Sequence, residues 1–222
     1  TAPRGAGVPA AVGPRVAGRE GYSHGVSAGL VALVVATSTG GTGRHVASLA
    51  EGLVAGGARV SVFGPAATER RFRFTSVGAV FHPVEIPVGA GPADVVAVRA
   101  LRAALRRSGG DVDVVHAHGL RAGLVAALSR PTGVPLVVTW HNLVLASGTK
   151  GRIFQTLERF VARAADVTFV VSADLAVRAR DLGARPIAAE LIDAGPLLSP
   201  DGSDSLSLDE GLELLTTTGW EL

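Results

Sequence analysis

Residues 30–53, LVALVVATSTGGTGRHVASLAEGL, decide the fold, because an apolar run stops at a glycine-rich turn and becomes a helical pattern. The apolar run predicts a strand buried on both faces, and the periodic part predicts a helix that begins at the turn. Gly40, Gly41 and Gly43 let the backbone come close to a ligand, and the positive end of the helix faces the same point. This turn therefore predicts a site for an anion such as a phosphate or diphosphate.

Two familiar phosphate-binding loops do not fit this turn. The dinucleotide fingerprint G-x-G-x-x-G would place its third glycine at Val46, and no acid follows the second predicted strand, 59–63. The Walker pattern requires a lysine next to its last glycine, but the sequence has a single lysine, Lys150, in another segment. A nicotinamide or flavin enzyme and an NTPase are both disfavoured.

The composition is that of a globular protein with a core of small aliphatic side chains. Of the 222 residues, 47% are hydrophobic, the mean hydropathy is +0.37, and 29 are glycine. The sequence has no cysteine and no methionine, so disulfides, thiol catalysis and thiolate metal sites are excluded. Lack of cysteine fits a reducing cytosol, and we expect a cytoplasmic protein.

Charge divides the chain into three parts. Residues 1–28 carry three arginines and one glutamate, and residues 187–222 carry eight acids and no lysine or arginine, which leaves +8 for the middle of a chain of total charge +2. We expect a disordered Ala/Gly/Pro/Arg tail over 1–28, a folded domain over 29–186, and an acidic tail with one short helix over 187–222. A basic domain suits an anionic ligand, and the sequence shows no nucleic-acid-binding motif.

Alternating apolar and helical segments predict an α/β fold, a Rossmann-like doubly wound parallel sheet. The segment 70–88 is expected to be irregular and partly extended. The predicted strands are 30–36, 59–63, 112–117, 135–140 and 167–171, and the predicted helices are 43–55, 92–107, 120–129, 151–164 and 173–182. Ligands of such folds bind at the carboxyl ends of the strands, so polar residues at those ends are the candidate site.

Three motifs at these strand ends carry a family resemblance. The motif GGTGRHV opens the first helix, DVVHAHG ends the third strand, and VVTWHN ends the fourth. Together they resemble the N-terminal domain of family 4 glycosyltransferases of the GT-B fold, over about residues 30–183. Such enzymes move a sugar from a nucleotide diphosphate to an acceptor.

The resemblance implies a role for each motif. It implies a catalytic contact between His118 and the donor sugar or its phosphate. The implied donor diphosphate site is Gly40, Gly41, Thr42 and Gly43. The implied acceptor contacts are Arg44, His45, His141, Asn142, Lys150 and Arg152.

Metal ions and cofactors are not expected in the transfer reaction. His116 and His118 lie two residues apart at a strand end, and we expect their side chains to point to opposite faces, where they could not bind one metal ion. A zinc site is therefore not expected, and His116 is expected to be a packing residue. The motif Asp111-Val112-Asp113 matches the D-x-D of metal-dependent glycosyltransferases but precedes its strand, at the wrong edge of the sheet. The departing nucleotide is therefore expected to be stabilised by helix N-termini and basic side chains.

The expected function is hexosyl transfer from a nucleotide-diphosphate sugar to a sugar, lipid-linked or small-molecule acceptor, with retention implied by the resemblance. GT-B enzymes use two Rossmann-like halves, and the chain has no room for the second, donor-binding half. Glu213 and Glu221 have the spacing of that half's E-x7-E motif, which we attribute to chance in an acidic tail. We therefore expect little or no activity from the chain alone. Three explanations stay open: a fragment, a truncated reading frame, or one subunit of a split enzyme whose partner chain supplies the second half.

Two other classes remain as alternatives. One is a non-catalytic or split-enzyme subunit that keeps the anion-binding edge without turnover. The other is a different phosphate-binding Rossmann enzyme, such as an epimerase or reductase. This class is disfavoured because the sequence has no Tyr-x-x-x-Lys pair: its single tyrosine, Tyr22, lies in the predicted N-terminal tail. The segment RRFRF at 70–74 interleaves cations with aromatic rings, which fits peripheral contact with the inner face of a membrane or an exposed edge.

Overall fold

Parallel strands form one sheet of seven in the order β3-β2-β1-β4-β5-β6-β7. The computed structural model describes residues 29–87, 89, 91–108, 111–142, 148–184 and 187–189, with the side chains of 149, 150 and 187–189 left undescribed. The strands are β1 Leu30–Val35, β2 Arg59–Gly64, β3 Val80–Pro83, β4 Val114–His118, β5 Leu136–Trp140, β6 Val167–Val170 and β7 Ile187–Ala189.

Helices connect successive strands on both faces of the sheet, and the Rossmann-like α/β fold is confirmed. They are α1 Gly41–Ala55, α2 Ala66–Phe72, α3 Ala93–Arg107, α4 Leu120–Ser129, α5 Gly148–Ala164 and α6 Ala173–Leu182, with a 3₁₀ turn at Phe74–Val77. The chain adds strands outward from β1 through β2 to β3, then returns to the other side of β1 with β4. The switch point between β1 and β4 is where such folds bind ligands.

Strand β1 lies at the centre of the sheet and contributes to the core on both of its faces. Ala32 and Val34 pack with the larger hydrophobic cluster, whereas Leu33 and Val35 pack with the smaller one, which also contains Phe74. All four of these β1 side chains are fully buried. The continuous apolar run in the sequence is therefore a strand buried on both faces, as predicted.

Three elements were missing from the sequence prediction. Helix α2 and strand β3 occupy part of the segment that we expected to be irregular, and β7 extends the sheet three residues beyond the predicted boundary at 186. Helix α2 buries one residue, Thr68, and β3 is half-buried at best, so neither shows a clear apolar period. Strand β7 is too short to show a period.

At the amino edge of the sheet, where the strands begin, charged side chains form hydrogen bonds with the backbone. The Asp113 carboxylate accepts a hydrogen bond from Leu30 N at 2.5 Å. Asp166 accepts one from Leu136 N at 2.7 Å and pairs with the Arg130 guanidinium. Asp113 thus lies at the edge opposite the ligand-binding edge, where the sequence placed it.

Candidate functional site

The glycine turn at the end of β1 leads directly into helix α1. The helix begins at Gly41, two residues earlier than predicted, with Gly40 as the N-cap residue. The Ser38 hydroxyl accepts a hydrogen bond from Gly43 N at 3.0 Å, which satisfies one amide of the first turn. The amides of Gly41 and Thr42 have no acceptor within the helix, because the first turn of an α-helix lacks preceding carbonyls.

The glycines of this turn serve different purposes. A Cβ added to Gly43 would lie 2.1 Å from the Phe72 ring, so α1 and α2 pack closely only because residue 43 has no side chain. A Cβ added to Gly40 or Gly41 would meet no described atom within 4 Å, and neither residue has a positive φ. Neither packing against the described residues nor a positive φ therefore explains glycine at positions 40 and 41.

Three of the predicted site residues come together at the carboxyl edge of the sheet. His45 lies on the second turn of α1, His118 ends β4, and His141 follows the last residue of β5. Their ring centroids are 5.3 to 5.6 Å apart. One ring nitrogen from each histidine lies within 4.8 Å of the other two. We call these three residues the histidine cluster.

His118 is the most buried member of the cluster, with 2% of its surface exposed. Its Nδ1 lies 3.3 Å from His141 Nε2, and its Nε2 has no hydrogen-bond partner in the described part of the chain. Burial lowers the pKa of His118 well below its usual value, and the neighbouring rings of His116, His141 and His45 lower it further. The ring is therefore neutral near physiological pH.

The prediction that His116 and His118 point to opposite faces was wrong. Their ring centroids lie 4.2 Å apart, because residues i and i+2 of a strand share a face. His116 Nε2 lies 2.7 Å from Thr139 Oγ1 on the adjacent strand. This buried bond agrees with the packing role expected for His116.

The other predicted acceptor residues are spread along the same edge and helix α5. Arg44 and Asn142 are exposed, and Lys150 lies in α5 with its side chain outside the described residues. Arg152 is also exposed and lines a cavity of about 430 Å³ together with Gly148, Gly151, Phe154, Gln155, Glu158 and Arg178. In that cavity the buried Glu158 carboxylate pairs with Arg178 at 2.5 Å.

Two arginines of the segment that the sequence analysis interpreted as a membrane contact or an exposed edge are exposed and lie beside the loop that leads into the glycine turn. Arg70 and Arg71, in the last turn of α2, line a cavity of about 420 Å³ with Thr37, Ser38, Thr39, Ala67 and Thr68. The signal that could have identified them is the end of β2 at Gly64, which lies at the same edge as the end of β1. That strand end was left out of the predicted site because α2 was not recognised.

Comparison with protein families identifies the domain. A family profile described as "Glycosyl transferase 4-like domain" matches residues 40–195. The chain belongs to this family. The alternative of an unrelated phosphate-binding Rossmann enzyme is therefore wrong. A search of curated proteins gave no match.

Solved structures with the same fold include a glycosyltransferase, a sucrose-phosphate synthase and HepE. A glycosyltransferase from Rickettsia africae ESF-5 is 11% identical, with a TM-score of 0.58 over 75% of this chain and 43% of that one. Sucrose-phosphate synthase from Thermosynechococcus elongatus is 18% identical, with a TM-score of 0.53 over 74% of this chain and 47% of that one. Anabaena HepE, in complex with UDP-glucose, is 14% identical, with a TM-score of 0.54 over 86% of this chain and 50% of that one.

At these identities the neighbours show a shared fold alone. The chain spans about half the length of the solved structures that it resembles, with shares of 43% to 50%. Among the described helices, none combines the length and apolar character that crossing a membrane requires.

Proposed function

We propose that this domain is the acceptor-side half of a glycosyltransferase, which moves a hexosyl group from a nucleotide-diphosphate sugar without using a metal ion in the transfer. The observation that carries the proposal is that positions 40 and 41 are glycine although neither packing nor φ requires it. Close approach of a ligand to the backbone is the remaining physical reason for glycine there. Since the turn opens a helix N-terminus, that ligand is an anion.

The donor diphosphate is proposed to bind at the first turn of α1. The amides of Gly41 and Thr42 donate to its oxygens, while Ser38 already accepts from the amide of Gly43. When the bond between the sugar and the diphosphate breaks, negative charge develops on the departing oxygen. Fixed amide donors and the helix dipole stabilise that charge without reorganisation, which lowers the barrier to transfer.

Arg70 and Arg71 extend this anion site on the side of α2. Both lie in the same cavity as the loop Thr37–Ser38–Thr39, which leads into the glycine turn. Their guanidinium groups remain charged at all relevant pH values and can bind phosphate oxygens in a forked geometry. Two arginines near the free amides suit an anion with two phosphate groups, which supports diphosphate as the ligand.

His118 is proposed to contact the donor sugar or its phosphate through the buried Nε2. A neutral ring can donate one hydrogen bond from either nitrogen without placing a full charge in the site. On the acceptor side we assign Arg44, His45, His141, Asn142, Lys150 and Arg152. Retention of the anomeric configuration belongs to the same proposal and rests on family resemblance.

Transfer is proposed to need a second domain in addition to this one. One fact supports this view: the chain spans about half the length of its solved neighbours. The HepE structure contains UDP-glucose, which supports a nucleotide sugar as the ligand class. The second half can come from the same polypeptide or from a partner chain.

Calorimetry with inorganic pyrophosphate, carried out in the presence of a chelator, tests the anion site directly. We expect the chain to bind pyrophosphate, and Gly41→Val to weaken that binding at least tenfold because the new side chain covers the amides. The matched control is Ser48→Val, which adds the same side chain at an exposed position of the same helix. Absence of binding by the unmodified chain, or equal binding by Gly41→Val, would overturn the assignment.

A further inference from the structure

We propose that the histidine cluster binds a late first-row divalent metal ion, for which Zn²⁺ is the test case. One ring nitrogen from each of His45, His118 and His141 lies within 4.8 Å of the other two. Zinc sites that keep one position open for water or another ligand use three protein ligands of this kind. The sequence argument against zinc considered His116 and His118 and did not bring together the three residues that the fold does.

The ligand spacing needs a small adjustment to close on a metal. Zinc–nitrogen bonds of about 2.0–2.1 Å place tetrahedral ligand atoms roughly 3.3 Å apart. The 4.8 Å limit therefore requires shifts of about 1 Å or less from each ring. His45 and His141 are half-buried, whereas His118 is buried.

An independent observation is the state of the His118 Nε2 atom. This nitrogen is buried and lacks a hydrogen-bond partner within the described ranges. Buried polar atoms of proteins nearly always have a partner, so such an atom indicates a missing ligand. A metal ion held with the two neighbouring rings would bind one of the two ring nitrogens of His118, of which Nδ1 lies 3.3 Å from His141 Nε2.

The backbone that carries the cluster is fixed before any ligand binds. His118 pairs in register with Thr139 of β5, two residues before His141, and with Val35 of β1, the strand that leads through the glycine turn to α1 and His45. His116 lies under His118 and forms a hydrogen bond with Thr139, so it supports the cluster and is not itself a ligand. Binding a metal therefore needs side-chain movement alone.

The chemistry of the ligands selects the class of metal. The cluster consists of three imidazoles, and no carboxylate of the described residues belongs to it. Imidazole suits Zn²⁺, Cu²⁺, Ni²⁺ and Co²⁺, whereas Mg²⁺ and Ca²⁺ prefer oxygen ligands. Three neutral ligands leave the metal with its full charge beside the positive end of α1, so the open position favours an anion such as hydroxide or chloride.

The metal is inhibitory if the proposed function holds, and this consequence rests on that function. Both sites use His118, so a ring bound to zinc is unavailable to the donor sugar. Transfer itself is proposed to need no metal, and zinc would then hold the domain in a resting state. The binding claim does not depend on this consequence and is tested separately.

The test is titration of the complete chain with ZnCl₂ by calorimetry, with Co²⁺ absorption to report tetrahedral coordination. We expect one zinc ion per chain, and His45→Gln and His141→Gln each to weaken binding at least tenfold. His82→Gln and His24→Gln are controls that remove histidines outside the cluster and should bind zinc as the unmodified chain does. His118→Gln is expected to abolish binding, but its buried position makes the other two variants the deciding ones.

Two outcomes would overturn the metal site. One is binding of less than one zinc ion per chain, and the other is unchanged zinc affinity in both His45→Gln and His141→Gln. The pyrophosphate experiment is done without free metal and measures anion binding at the glycine turn, whereas the zinc titration measures metal binding by the histidine cluster. Failure of either site is thus distinguishable from failure of the other.

Discussion

The two edges of the sheet use polar residues in opposite ways. At the amino edge, Asp113 and Asp166 bond to strand amides, and Arg130 donates to the carbonyls of Val134 and Ala164 at 2.9 and 3.2 Å. At the carboxyl edge, the buried Nε2 of His118 has no such partner among the described residues. Polar residues at both edges attract notice in the sequence, but their hydrogen-bond partners separate a structural role from a binding role.

The largest effect is expected from removing the buried ring at the carboxyl edge. His118→Ala should lower transfer about 10²–10³-fold in a preparation that includes the second domain, since loss of one preorganised contact to a reacting group has this magnitude. The measurement is turnover of a nucleotide sugar, with thermal unfolding as a check on folding. His116→Gln is the control. Equal loss of activity in the two variants would contradict the proposal that His118 contacts the ligand whereas His116 is a packing residue.

At the amino edge, loss of a single carboxylate should destabilise the fold and leave ligand binding intact. Asp166→Ala removes the acceptor for Leu136 N and the partner of Arg130, so we expect unfolding to become easier by about 2–3 kcal/mol. Chemical denaturation measures this change, and Glu51→Ala, at an exposed position of α1, is the control. A loss of pyrophosphate binding together with stability would show that the two edges are not independent.

The glycine turn also combines a structural position, Gly43, with a proposed binding position, Gly41. Gly43→Val should destabilise the protein by about 1–3 kcal/mol, because the Phe72 ring must move out of its packed position. Gly41→Val should leave stability nearly unchanged and weaken anion binding instead. Denaturation midpoints and pyrophosphate affinity, measured on both variants, give the comparison. Equal loss of stability in the two would mean that position 41 is also a packing position.

The smallest effect concerns His82, which stacks on the Phe63 ring with centroids 4.7 Å apart. Burial lowers the pKa of His82 below 6.5, and the nearby Arg107 cation lowers it further. The unfolded chain therefore binds a proton more readily than the folded chain, so stability falls as the pH drops below 6.5 and is unaffected above it. Chemical denaturation above and below pH 6.5 measures the effect. We expect His82→Gln to lose slightly less stability on acidification than the unmodified chain does.

Sequence periodicity predicted the elements that are buried and long. The strand at 30–36 and the helices after 92 and 120 appear within a few residues of their predicted bounds because each presents a clear apolar period. Helix α2 escaped because it buries a single threonine, so the position of its arginines beside the loop that leads into the glycine turn was not predicted. Elements that are only half-buried show little apolar periodicity, so they are hard to predict from sequence.

The candidate site was predicted residue by residue but not as an arrangement. The position of His118 at the end of its strand followed from the apolar run before it. Its contact with His45 depends on how α1 packs across the strand ends, which no local pattern encodes. The pairing of His116 with His118 was predictable from the pleat, and the prediction failed because the period of two was misapplied.

The contact between Gly43 and Phe72 has a consequence for how this family can vary. A ring fills the space where a side chain at position 43 would stand, so the two positions share one fixed volume. Homologous chains with a larger residue at 43 should carry a smaller one at 72, and the reverse. Changing that pair would shift α2, and with it the positions of Arg70 and Arg71 relative to the proposed anion site.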